Sequence, residues 1–252
     1  MNPTTASEQP TVVLVHGAFA DASSWTGVVE RLHSRGIKVT APANPLRGLT
    51  SDSAYLKAIL DQTPGPVIAV GHSYAGAVIS GAAHGATNVV GLVFVAAFAP
   101  DEGEVLGEVA ATSNDSILMA ALLPQRYPSA NGESATEFVA DPAKFHDTFG
   151  ADLPAQTGAV LAATQRPVAD AAFSDPATRP AWKDLPSWAV VATGDRAAGS
   201  DLTRSMATRA GSKITEIDGS HLIMISQPEA VTEVILEAIA FVGERQLAGT
   251  LG

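Results

Sequence analysis

The 252-residue chain contains no cysteine. That excludes a disulfide framework, a thiolate nucleophile, a cysteine-ligated zinc and an iron–sulfur cluster. Basic residues are scarce: 15 Lys and Arg stand against 26 Asp and Glu, a formal charge of −11. They form no cluster, so the chain offers no surface to a nucleic-acid backbone. No apolar run approaches the ~18 residues of a membrane span; the longest, Val89 to Ala99, is strand-like and too short. The first ten residues are polar and lack the basic and apolar regions of a signal peptide. These absences together predict a soluble protein, and the Ala-rich, Arg-over-Lys composition a bacterial, cytoplasmic one. Charged residues make up 16% and hydrophobic ones 46%, with mean hydropathy +0.17. That is too apolar for a disordered chain. At roughly 150 residues per domain, the length fits one large domain with an insertion, or two small ones.

What is present is alternation. Thr11 to Val15 is a short continuous run rich in β-branched residues, the pattern of a strand buried on both faces. Asp21 to Trp25 supplies cap residues, and Trp25, Val28, Val29 and Leu32 follow at helical spacing up to Gly36. Further strands are expected at 36–40, 66–70, 89–95, 188–192 and 213–217. Helices are expected at 51–60 (Tyr55, Ile59 and Leu60 on one face), 74–85, 201–210 and 229–246. The rhythm predicts βαβ units, right-handed crossovers and a doubly wound, mainly parallel sheet, an α/β fold. Residues 101–186 interrupt it. They lack buried-strand runs and read as a helical insertion, with fragments at 105–111, 116–123 and 134–139 punctuated by prolines. The expected organisation is a disordered tail at 1–10, a core from 11–100 and 187–248, and a helical lid at 101–186.

Gly71-His-Ser-Tyr-Ala75 follows an expected buried strand and precedes a helix of small residues. This is the setting in which a G-x-S-x-G turn holds a serine hydroxyl out at the carboxyl edge of a sheet. The second glycine is replaced by Ala75, with Gly76 next, so the turn needs room for one methyl. A serine requires a base. Of six histidines, His221 sits in a turn directly after the last strand and can face Ser73; His72 is expected to point away, and His16 to brace the loop after the first strand. A carboxylate should meet the other imidazole nitrogen. Asp195, just past the strand ending at Ala192, gives the order Ser73, Asp195, His221; Asp101, Glu102 and Asp201 are the competitors. An oxyanion needs two backbone N–H groups. Tyr74 supplies one, and Ala18, with Phe19 as second choice, the other.

These motifs together resemble the α/β-hydrolases. The matching pieces are Val13-Leu-Val-His-Gly-Ala18 with Trp25, Gly71 to Tyr74, Ala96 to Pro100, Ala192 to Asp195, and Asp218 to His221 followed by Met224 and Pro228. The resemblance is to the small, minimal-core group of plant methyl esterases and hydroxynitrile lyases and their bacterial relatives. It implies a six-stranded sheet and a serine hydrolase of carboxylic esters or lactones of small, fairly apolar molecules, working through an acyl-enzyme without cofactor or metal. The lyases of that group carry a threonine beside the first-strand histidine and a lysine after the catalytic one. Gly17 and Leu222 stand there instead, which argues against cyanohydrin cleavage. Ser73 likewise departs from the aspartate nucleophile of dehalogenases and epoxide hydrolases. As a lid, the insertion would help Phe19, Leu118, Leu122, Trp182 and Leu222 line the pocket, with Phe145 and Phe149 among its other apolar residues. Alternative readings are a lyase or a cofactor-free perhydrolase or oxygenase on the same triad, and a receptor-like binder with slow turnover. The expected partner is a small-molecule ester, bound by a monomer or homodimer.

Overall fold

The computed structural model describes residues 9–129 and 132–250. In chain order its strands are β1 (Thr11–Val15), β2 (Val39–Thr40), β3 (Val67–His72), β4 (Val89–Val95), β5 (Leu122–Pro128), β6 (Ser134–Ala140), β7 (Val168–Ala169), β8 (Ser187–Ala192) and β9 (Lys213–Ile217). A six-stranded sheet runs β2-β1-β3-β4-β8-β9, with every pairing parallel. Its central strands are buried on both faces, as their unbroken apolar sequences require. Val12, Val13 and Leu14 are wholly shielded, and each such side chain contributes about 1.5–3 kcal/mol by leaving water.

The helices of the core are α1 (Thr26–Ser34), α2 (Leu49–Gln62) and α3 (Ala75–Ala83), then, after the helices of the insertion, α9 (Ser200–Arg209), α10 (Ile223–Ser226) and α11 (Pro228–Thr250). α1 packs with α11 and α2 with α3. On α2 the buried face is Leu49, Asp52, Ser53, Leu56 and Leu60, whereas Tyr55 is exposed. The expected face, through Tyr55 and Ile59, is thus rotated: the helix starts at Leu49, and the spacing of three and four residues from there selects Leu56 and Leu60. The chain passes from β1 to β2 on one side of β1 and then to β3 on the other. Loops leaving the carboxyl ends of β1 and β3 therefore diverge and leave a crevice between them.

The insertion carries α4 (Leu106–Ala110), α5 (Leu118–Ala121), α6 (Pro142–Phe149), α7 (Ala155–Thr164) and α8 (Ala171–Ser174). It is not helical throughout. Residues 134–139, expected as helix, form β6, the middle strand of an antiparallel sheet β5-β6-β7. Glu137 of β6 is buried because Arg47 of the core reaches it at 2.7 Å. β5 accommodates Pro124 and Pro128 because it is an edge strand. The expected disordered tail falls, for residues 1–8, outside the described residues. Among the described residues no helix is long and apolar enough to cross a membrane.

Candidate active site

β3 ends at His72 and α3 begins at Ala75, so Ser73 and Tyr74 make the whole turn. Ser73 sits at φ +54°, a left-handed conformation that costs a side-chain-bearing residue on the order of 1–3 kcal/mol. Its neighbours enforce it. The Ser73 N–H donates to Val95 O at 3.2 Å, and its carbonyl accepts from the N–H groups of Gly76 at 3.0 Å and Phe98 at 3.2 Å. Ala75 fits, fully buried. The close approach falls one residue later, where a Cβ on Gly76 would lie 2.3 Å from Phe98 O and 2.8 Å from the Ala97 Cβ.

The loop after β1 presses on the same turn. A Cβ on Gly17 would lie 2.8 Å from the Ser73 Cβ and 2.9 Å from His72 O. The N–H groups of Ala18, Phe19 and Tyr74 donate to no other described residue, and Phe19 is itself left-handed at φ +60°. His16 braces this loop as expected. Its Nε2 accepts from the Asn44 N–H at 2.9 Å, and the Asn44 amide returns a bond to His16 O at 3.1 Å. Burial, with the Arg166 cation nearby, lowers the His16 pKa to about 4, so the ring is neutral.

β8 delivers Asp195 and β9 delivers His221, and the two loops are laced together by the Gly194 N–H donating to Gly219 O at 2.9 Å. His221 Nδ1–H donates to Asp195 Oδ2 at 2.8 Å, and both residues are buried. The other oxygen, Oδ1, accepts from the N–H groups of Ala197 at 2.8 Å and Ala198 at 3.0 Å. A carboxylate removed from water needs such a set of donors. The competing acids lie elsewhere: Asp101 pairs with Lys183, and Asp201 accepts from Ser113 and Asn114. His72 differs from expectation. Instead of turning away, its Nε2–H donates to His221 O at 3.0 Å, with the two rings 4.6 Å apart. Burial, then the neighbouring His221, holds its pKa well below the usual range. Ser73 Oγ makes no hydrogen bond to a described residue; its chain neighbour His72 is the residue that bonds to His221.

The insertion supports this loop. Phe149 O accepts from the Leu222 N–H at 2.9 Å and from Ser220 Oγ at 3.1 Å, and Ser220 Oγ also donates to the Asp152 carboxylate. Beside His221 lies a cavity of about 30 Å³ lined by Phe19, Phe145, Phe149, Leu161, Leu222 and Ile225, with Asp21, Ser23, Ser24 and Thr164 at its polar wall. That is room for about two waters. The Phe149 ring meets Phe19 edge-on at 5.7 Å and stacks on Phe145 at 4.8 Å. Of the expected pocket residues, Phe19 and Leu222 line this cavity, whereas Leu118, Leu122 and Trp182 do not. Trp182 packs away from it, with its indole N–H donating to Pro100 O. Leu161, Thr164 and Ile225 had no local signal, since only the fold of the insertion brings them here. Among the described residues no group of three histidines or carboxylates could hold a metal ion.

Residues 12–234 match the model of the alpha/beta hydrolase family. The chain belongs to that family. One relative, alpha/beta hydrolase nvfD of Aspergillus novofumigatus (strain IBT 16806), is 26% identical over 254 residues, covering 91% of this chain and 96% of that protein. Polyneuridine aldehyde esterase superimposes with TM-score 0.77 at 20% identity, over 92% of this chain and 99% of its own. The methylesterase MES16 from Arabidopsis gives 0.75 at 19%, with the same coverage of 92% and 99%. At these identities the two structures share the alpha/beta hydrolase fold, and the crevice above β1 and β3 is the place where that architecture gathers its strand-end loops.

Proposed function

We infer that this alpha/beta hydrolase is a serine esterase acting on carboxylic esters or lactones of small, apolar molecules. The observation that carries the reading is the buried bond between His221 and Asp195, in a loop whose His221 carbonyl accepts from His72, the chain neighbour of left-handed Ser73. In this mechanism Ser73 Oγ attacks the substrate carbonyl as its proton passes to His221 Nε2. Asp195, fixed on Nδ1–H, sets that tautomer and stabilises the imidazolium. The tetrahedral oxyanion accepts from the N–H groups of Tyr74 and Ala18, with Phe19 the alternative to Ala18; their lack of other acceptors suits that role. His221 returns the proton to the departing alkoxide, which leaves an acyl-enzyme. A water, deprotonated by the same nitrogen, then releases the acid and restores Ser73. The Ser73–His221 contact forms with substrate in place.

The insertion acts as a lid in this reading. Its Phe145, Phe149 and Leu161 line the cavity beside His221 and screen a bound ester from water. Initial rates on p-nitrophenyl acetate, butyrate, octanoate and laurate, with Ser73→Ala in parallel, test the proposal. The serine variant should lose at least about a thousandfold in kcat, with the short esters preferred. Equal turnover by wild type and variant would sink it.

A further inference from the structure

Besides Glu137, which Arg47 pairs, the mechanism leaves a second buried carboxylate without a task. Asp52, on α2, is fully shielded from solvent, and among the described residues no cation pairs with it. The Arg47 guanidinium turns instead to Glu137; it is the Arg47 backbone N–H that reaches Asp52, at 3.1 Å from Oδ1 and 3.2 Å from Oδ2. A buried carboxylate without a countercharge is costly unless strong donors meet it. The backbone N–H groups of Leu46 and Gly48 and, at 3.5 Å from Oδ1, the Ser51 hydroxyl also face the carboxylate, and the shortest side-chain donor is the hydroxyl of Tyr74, 2.8 Å from Oδ2.

Tyr74 is the residue whose N–H was assigned to the oxyanion. We propose that Asp52 is a positioning residue for the oxyanion hole, which it orders by anchoring the far end of the Tyr74 side chain. This rests on the esterase reading. The peptide between Ser73 and Tyr74 follows a left-handed residue, and the strain there is relieved by rotating that peptide, which would swing the Tyr74 N–H off the oxyanion. A ring tied at its hydroxyl to a separate helix resists the rotation. The tie is stiff because α2 packs along α3 and Asp52 lies in the first turn of α2. Preorganisation of this kind is what makes an oxyanion donor effective.

The test uses the full chain and the best p-nitrophenyl ester. Tyr74→Phe removes one oxygen and keeps the buried ring; it should lower kcat about tenfold while KM stays within about twofold. Asp52→Asn retains an acceptor for the phenol and should keep activity within about threefold of wild type. Asp52→Ala should match Tyr74→Phe, and the double variant Asp52→Ala/Tyr74→Phe should lose no more than either alone. If Asp52→Ala does not fold, Tyr74→Phe and Asp52→Asn still decide. Wild-type kcat in Tyr74→Phe overturns the inference, as does a loss that appears in KM rather than kcat. The esterase reading fails separately, and only if Ser73→Ala retains wild-type turnover.

Discussion

The Ser73 side and the His221 side of the crevice are held by different means. Everything that fixes Ser73 belongs to the core: backbone bonds to Val95, Gly76 and Phe98, and the close passage of residues 17 and 97–98. These are steric and main-chain constraints inside the sheet, and they yield only when the sheet does. His221 takes its acid partner from the core, but the flanks of its loop lean on the insertion, through Phe149 O and Asp152. That support is a few hydrogen bonds to a segment containing exposed Met119, Leu123 and Val160. Local stability follows such differences. One half of the site is as durable as the fold, and the other divides its support between core bonds from His72, Gly194 and Asp195 and the seating of the insertion.

The contrast can be broken from the core side first. Gly76→Ala places a methyl against Phe98 O and should destabilise the protein by more than about 4 kcal/mol in thermal or urea melts. A wild-type melt would show that the segment after β4 gives way easily. The next effect is on pH dependence. His16 has its pKa lowered from 6.5 to about 4, so between those values the unfolded chain binds a proton that the folded one refuses. Stability is therefore fully present above pH 6.5 and falls by about 3 kcal/mol as the pH drops to about 4. His16→Gln keeps an acceptor for Asn44 but cannot titrate. Urea unfolding at neutral pH and at about pH 5 should show a shallower loss in the variant; an unchanged slope would assign the acid sensitivity elsewhere. The smallest effect sharpens the base side. Ser220→Ala should cost about 1 kcal/mol and speed hydrogen exchange across 218–226 while β3 and α3 keep their protection. Equal loosening on both sides would erase the distinction.

The core was legible because its strands advertise themselves. Residues 11–15 and 89–95 are strands over the expected bounds, since double burial demands an unbroken run of apolar, β-branched residues; the edge strand 213–217, also at its expected bounds, is exposed or half-buried throughout. The turn at Ser73 and the position of Asp195 were legible for a similar reason, since each follows a buried run; His221 follows the edge strand β9. The insertion was not. β6 buries a glutamate whose partner, Arg47, is ninety positions away, and no local pattern encodes that pairing. Asp52 escaped notice because the reading of α2 followed apolar residues alone. A tyrosine after the nucleophile was the available clue, since a buried phenol needs an acceptor. His72 was misjudged because its orientation depends on a carbonyl 149 residues on.

Gly17 bears on how this scaffold can be re-engineered. Any side chain there would collide with the nucleophile's own Cβ and with a main-chain oxygen, so libraries that randomise the first-strand loop will return glycine at this point or fail. Leu222, in contrast, presents its side chain to the cavity wall. New specificity in this scaffold has to be written on the wall beside His221, because the wall beside Ser73 has no room for a letter.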